Sequence, residues 1–187
     1  MSVVHVTPLR FEDSRGWFVE SWNQAKFESL GIRAEFCQDN HSSSSKAGTL
    51  RGLHFQRMPN SQAKLVRCLR GHVFDVAVDI RRASPTYKQW VGVELSATLG
   101  NQLFIPAGYA HGFLALEDNC EVAYKVDAYY APDFEGGVIW NDADIGIDWN
   151  LAGRTPLLSD KDAKLPTLAE LTLDFAYDGR PLLPIQN

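Results

Sequence analysis

The sequence predicts a mainly β protein closed as a barrel or a double-sheet jelly roll, and three observations carry that expectation. Short runs rich in β-branched and aromatic residues recur along the chain, two of them alternate with period two, and the helical pattern of an alternating α/β fold is missing. In chain order the runs are residues 17–22, 63–69, 73–80, 90–95, 102–105, 112–117 and 120–130, with turn residues between them. Phe74, Val76, Val78 and Ile80 alternate with Asp75, Ala77 and Asp79, so this strand presents two faces with different environments. Val91, Val93 and Leu95 alternate with Gly92, Glu94 and Ser96 in the same way. Only residues 24–30, stopped by Gly31, and residues 163–171 read as helical. Closure into a barrel or two facing sheets removes the exposed edges that so many short strands would otherwise leave. Residues 42–45, four serines, read as a mobile loop, and residues 144–187, rich in Asp, Leu and Pro, as a C-terminal arm on a core of about residues 1–140.

With 187 residues and 45% apolar content the chain can fill one core, which predicts a single domain. A formal net charge of −5 argues against a general nucleic-acid surface, so an anionic ligand has to be met by local arginines. Cys37, Cys68 and Cys120 are odd in number and lack disulfide-framework or metal-motif spacing. Reduced thiols buried as small apolar residues, in a cytoplasmic protein, are the expectation. His5, Arg10, Glu12 and Asp13 precede any long apolar run, which argues against a signal peptide or a spanning segment and hence against a membrane partner.

The residues that could carry chemistry are ambiguous one at a time. His54 lies in the strand-like run Leu50-Arg51-Gly52-Leu53-His54-Phe55-Gln56, and by itself is better explained as a hydrogen-bonded core histidine. Lys64 interrupts the apolar run Ala63-Lys64-Leu65-Val66, where a lysine is more often a solvated outward side chain. Its nearness to His54 in sequence argues for one shared cavity. Tyr124 shares a strand face with Val122 and Val126, so alternation sends it inward while Glu121 and Lys125 point out, and a core tyrosine is the simpler account. Arg15 and Arg51 each precede a glycine, where a ligand can approach the backbone, and both suit a phosphate, with surface ion pairing as the alternative. Simple alternation puts Arg51 and His54 on opposite strand faces, so a shared ligand requires a local bulge between them. A strand-borne HxH metal pair is absent, because Phe55 and Gln56 follow His54. The GxxxxGK[ST], GxGxxG and GxSxG motifs of nucleotide hydrolysis, hydride transfer and serine hydrolysis are absent too.

Nine segments then align in order. Asp13-Ser14-Arg15-Gly16, Gln38-Asp39-Asn40-His41-Ser42, the run from Leu50 to Gln56, Lys64-Leu65-Val66-Arg67, residues 73–81, Ser84-Pro85-Thr86, residues 106–113, Trp140-Asn141-Asp142 and residues 158–162 resemble the dTDP-4-dehydrorhamnose 3,5-epimerase family. The match runs from about Thr7 to Pro166. The resemblance implies a cupin-type double-stranded β-helix and a homodimer with neither metal nor cofactor. It also implies inversion of C3 and C5 in dTDP-4-dehydro-6-deoxy-D-glucose, a step toward dTDP-L-rhamnose or a related deoxysugar. By the same resemblance His54 is similar to the family's general base, Asp162 to its carboxylate partner, Tyr124 to the acid on the other side and Lys64 to the cation at the ketone oxygen. Arg15 and Arg51 correspond to diphosphate ligands, and Glu20, Gln38 and Asn40 to nucleoside ligands. His111 is similar to a substrate-binding position, and Asp75, Phe113 and Tyr130 to positions around the pocket. The sequence departs from the family pattern at Ala63, where glycine is more usual, at His72, and in a slightly longer loop over residues 42–48.

These residue types suit the reaction. A hydrogen on carbon beside a carbonyl is removable only if the developing enolate oxygen is stabilised, and one well-placed donor contributes about 3–4 kcal/mol. A histidine with an ordinary pKa of about 6.5 is a suitable base near neutrality, and a paired carboxylate fixes its tautomer. Three other readings compete: a relative acting at C3 or C5 alone or as a 3,4-ketoisomerase, a non-catalytic sugar-nucleotide-binding cupin, and a metal-dependent cupin oxygenase.

Overall fold

The computed structural model describes residues 1–151 and 153–185. In chain order its elements are β1 (Val4–Val6), β2 (Arg10–Asp13), β3 (Gly16–Val19), α1 (Gln24–Ser29), β4 (Gln38–Ser44), β5 (Leu50–Gln56), β6 (Lys64–Arg70), β7 (His72–Asp79), β8 (Trp90–Ser96), β9 (Gln102–Ile105), β10 (Tyr109–Ala115), β11 (Cys120–Val126) and β12 (Glu135–Gly137). Two five-stranded antiparallel sheets, ordered β1-β9-β6-β11-β4 and β12-β5-β10-β7-β8, form the double-sheet jelly roll that the sequence predicts, and β2 and β3 pair only with each other. Between β6 and β7 the chain changes sheet at Gly71, whose φ of +78° a residue with a Cβ rarely adopts.

The second sheet is covered on both faces along β7, the first is covered outside only over β6 and β9, and alternation decides which residue meets which layer. Between the sheets Val66 and Cys68 of β6, Val73 and Ala77 of β7, Phe113 of β10 and Val122 of β11 form one cluster. The outer face of the second sheet, with Phe74, Val76 and Val78 of β7, is covered by Ile145, Trp149, Leu168 and Phe175 from the C-terminal segment. Over the first sheet Phe27 of α1, Ile32 and Ala34 cover Leu65 and Phe104. The apolar stripe of β7 therefore faces the C-terminal segment, while Asp75 on the other face points between the sheets. At the end of β7, Arg81 donates to Asp79 at 2.9 and 2.8 Å and to Asp178 at 2.9 Å, fastening the C-terminal segment to the sheet.

Four expectations need correction. Residues 42–45 are not a loop: Ser42, Ser43 and Ser44 belong to β4 and pair with Val122, Glu121 and Cys120 of β11, because the ladder supplies what serine's weak β preference does not. The helix expected over residues 163–171 is two 3₁₀ turns, Asp162–Lys164 and Leu168–Glu170, since Pro166 lies between them and cannot donate a helical hydrogen bond. Cys37 is exposed, although Cys68 and Cys120 are buried. The last long strand stops at Val126 rather than at residue 130.

The bulge between Arg51 and His54 is present. His54 pairs with His111 and Arg51 with Phe113, so three steps on β5 span two on β10. Gly52 has φ +127°, and a Cβ there would lie 2.6 Å from Gly112 Cα and 2.9 Å from His111 O. Gly52→Ala is expected to destabilise the fold by about 2–4 kcal/mol, because backbone atoms cannot move aside as a side chain would. Urea unfolding checks this, and an unchanged midpoint would contradict it.

Candidate active site

The bulge delivers Arg51 and His54 to the same side of β5. Both line a cavity of about 450 Å³ between the sheets, together with Lys64 of β6, His111 and Phe113 of β10, Tyr124 of β11 and Asp162 of the C-terminal segment. Gln38, Asn40 and Tyr130 line an adjoining recess that shares His54, Lys64 and Tyr124 with the main cavity. Asp75 lies behind the wall, fully buried. Arg15 and Glu20 are not brought to this cavity: Arg15 is held by Asp13 on the tip of the β2–β3 hairpin, and Glu20 pairs with Lys26.

His54 Nε2 lies 2.7 Å from Asp162 Oδ1, while the backbone N–H of Gly52 donates to Asp162 Oδ2 at 3.3 Å. Burial by itself would raise the Asp162 carboxyl, but the hydrogen bonds from His54, Gly52 and Ser159 outweigh it and hold the pKa below the ordinary value. A carboxylate so placed orients the imidazole and leaves Nδ1 to the cavity. Local chain geometry sets Asp162 in turn. Its N–H donates to Ser159 Oγ at 3.1 Å, and Leu50 N–H donates to Leu157 O at 2.9 Å, which ties this segment to the start of β5.

Lys64 points inward with Val66 and Cys68, against the usual fate of a strand lysine. Its Nζ donates to the carbonyl of His54 at 3.3 Å and lies 5.9 Å from the centre of the Tyr124 ring. Burial lowers its pKa to about 8, opposed by the charges of Asp75 and Glu135. Tyr124 is raised by burial, with Arg51 opposing and Glu135 adding to the shift. The Tyr124 ring faces in with Val122 and Val126, while Lys125 and Glu121 form ion pairs outside with Asp39 and Arg70, as alternation predicts. The Arg51 guanidinium is anchored on β4 by Ser44 Oγ at 3.2 Å and Ser43 O at 2.8 Å.

Two charged residues of the cavity and its recess escape the sequence reading, Glu135 and Lys161. Glu135 of β12 accepts from Tyr130 Oη at 3.0 Å and from Lys161 Nζ at 2.6 Å, at the mouth of the recess. Lys161 directly precedes Asp162 in Ser159-Asp160-Lys161-Asp162, and that adjacency is its signal in the sequence. Glu135 carries no such signal, because only its pairing opposite Gln56 brings it to the site. Among the described residues no three His, Cys, Asp or Glu side chains converge as a metal site.

The family model described as dTDP-4-dehydrorhamnose 3,5-epimerase matches residues 1–170. Over 172 residues the chain is 54% identical to the dTDP-4-dehydrorhamnose 3,5-epimerase of Salmonella typhimurium, covering 91% of this chain and 93% of that relative. The solved structure of the Bacillus anthracis dTDP-4-dehydrorhamnose 3,5-epimerase, with TDP and PPi bound, superposes with a TM-score of 0.85 at 48% identity, covering 88% of this chain and 93% of that one. The Legionella pneumophila dTDP-6-deoxy-D-glucose-3,5-epimerase, in complex with dTDP-4-keto-L-rhamnose, gives 0.86 at 45% identity, covering 91% and 89%. With one cavity holding the imidazole–carboxylate pair, the buried ammonium and the phenol, and with this likeness along its length, the chain belongs to the dTDP-4-dehydrorhamnose 3,5-epimerase family.

Proposed function

We propose that the chain inverts C3 and C5 of dTDP-4-dehydro-6-deoxy-D-glucose, in the making of dTDP-L-rhamnose or a related deoxysugar. The observation that supports this best is the convergence of the Asp162-bound His54 imidazole and the buried Lys64 ammonium on one cavity. In this reading the C4 ketone oxygen lies at Lys64. His54 removes the proton from the neighbouring carbon, and Asp162 stabilises the imidazolium that forms. Negative charge gathers on the ketone oxygen as the enolate develops, and an ammonium already buried there stabilises it without reorganising water. Tyr124 then donates a proton to the other face, which inverts the carbon. Both C3 and C5 flank the same ketone, so one enolate site serves both after the ring shifts. Arg51 meets the diphosphate, and Gln38, Asn40 and Tyr130 meet the nucleoside side.

The proposal extends to a homodimer. The β2–β3 hairpin exposes Phe11, Trp17 and Phe18 at 57–68%, and a two-stranded hairpin is marginal unless something covers it. A second copy supplies that cover, and an exchange of hairpins carries Arg15 and Glu20 to the partner's cavity. Three free cysteines support a cytoplasmic location, and no helix of the described residues is long and apolar enough to cross a membrane.

In heavy water the wild-type protein is expected to exchange hydrogen at both C3 and C5 of the 4-keto sugar nucleotide, and His54→Ala to lower both rates by about 10²–10⁴-fold. Mass analysis resolved by position checks this. Exchange at neither carbon by folded wild-type protein would falsify the proposal, and exchange at one alone would reduce it to a single-carbon epimerase. Because Lys64 acts as its ammonium, kcat/KM should fall as pH rises through about 8, and an activity flat to pH 10 would contradict that role. The double variant Phe11→Asp/Phe18→Asp should sediment as a monomer where the wild type sediments as a dimer. A monomeric wild type would sink the dimer.

A further inference from the structure

One buried ionisable group has no part in the proton transfers above. Asp75 is 0% exposed on the inward face of β7, and both its oxygens face His111 Nε2, at 3.1 and 3.0 Å. His111 is itself 5% exposed, pairs with His54 across the β10–β5 ladder and lines the cavity. We propose that Asp75 is a positioning residue: it fixes His111 as the Nε2–H tautomer, a hydrogen-bond acceptor for a substrate hydroxyl, and its charge keeps Lys64 an ammonium.

The first half follows from the geometry. A carboxylate only accepts, so the ring nitrogen between its oxygens carries the hydrogen. Burial lowers the His111 pKa, with Asp75 opposing, and a neutral ring protonated on Nε2 has its lone pair on Nδ1. A lone pair turned to the cavity accepts from O–H and repels an oxyanion. His111 then discriminates the hydroxyls of the sugar from its ketone oxygen, which needs a donor.

The second half is a matter of charge. Lys64 shares the cavity and its recess with His54 and Arg51 on β5, His111 on β10, Tyr124 on β11, Glu135 on β12, and Lys161 and Asp162 on the C-terminal segment, while Asp75 on β7 stands behind His111 and acts on Lys64 through its charge. Asp75 and then Glu135 are the charges that counter its desolvation, and Asp75 is the more deeply buried. Glu135 is already shared between Tyr130 and Lys161. A charge out of reach of water is weakly screened, so Asp75 has the larger hold on Lys64.

This inference rests on the epimerase reading, and its experiments separate the two. In ¹⁵N-labelled wild-type protein, two-bond ¹H–¹⁵N correlations at pH 7 are expected to show His111 neutral, protonated on Nε2 and not on Nδ1. An Nδ1–H tautomer or an imidazolium overturns the first half whatever the activity. Asp75→Asn keeps the volume and removes the charge, so the alkaline midpoint of kcat/KM for isotope exchange should move down by about one pH unit or more. At pH 8 the rate should fall about fivefold or more. An Asp75→Asn protein with wild-type circular dichroism and an unmoved midpoint overturns the second half. His111→Gln leaves the charge of Asp75 in place, so it should raise KM at least severalfold with the alkaline midpoint unchanged. If Asp75→Asn does not fold, a midpoint that moves in His111→Gln overturns the proposal. Wild-type protein that exchanges no hydrogen refutes the epimerase reading and leaves the tautomer measurement to decide the Asp75–His111 pair.

Discussion

The extra residue at Gly52 is the constraint on which the cavity depends. A regular strand would send Arg51 and His54 to opposite faces, one between the sheets and the other beneath the C-terminal segment. The bulge resets the parity after Arg51, so that both side chains enter the cavity while Leu53 and Phe55 pack outward with Phe74 and Val76. The same residue donates its N–H to Asp162, so the device that turns His54 inward also helps hold the carboxylate that orients it. Only glycine fits, because the neighbouring backbone of Gly112 and His111 occupies the space a Cβ would take.

Around that bulge the molecule assigns its apolar and polar residues by layer. β7 carries Phe74, Val76 and Val78 on one face and Asp75 on the other, and both faces are buried. The apolar face is sealed by Ile145, Trp149, Leu168 and Phe175, which frees the interior face to carry charge. Burying Lys64 is unfavourable in itself, as its lowered pKa records, and it is tolerated because a backbone carbonyl accepts from it and two carboxylates lie near. An ammonium in that condition is well suited to meet an oxyanion that forms only during a reaction, since no water has to leave when the charge appears.

The C-terminal segment therefore has two roles. It covers the outer face of the second sheet, and it brings Ser159, Lys161 and Asp162 to the cavity wall through the bridge between Thr49 and Leu157. Arg81 fastens its far end through Asp178. Packing and chemistry are thus linked, because the segment whose Leu168 and Phe175 cover the second sheet also carries the carboxylate beside His54.

Much of this was legible in the sequence. Alternation in residues 73–80 and 90–95 predicted strands, and the shared face of Tyr124 with Val122 and Val126 predicted its inward ring, because side-chain direction in a strand is a local property with period two. The conflict of parity between Arg51 and His54 even located the bulge, with Gly52 between them. The order of motifs identified the family and its candidate residues where His54, Lys64 or Tyr124 considered alone pointed to nothing beyond a core or a surface. What the sequence could not decide depends on partners distant along the chain. Residues 42–44 are a strand only because β11 pairs with them, and Pro166 turned an apparent helix into two short turns. Arg15 and Glu20 lie off the cavity of their own chain, and Glu135 reaches it, for the same reason. Distance along the chain carries no information about which strands become neighbours, and only the closure of the two sheets set those residues beside the cavity or apart from it.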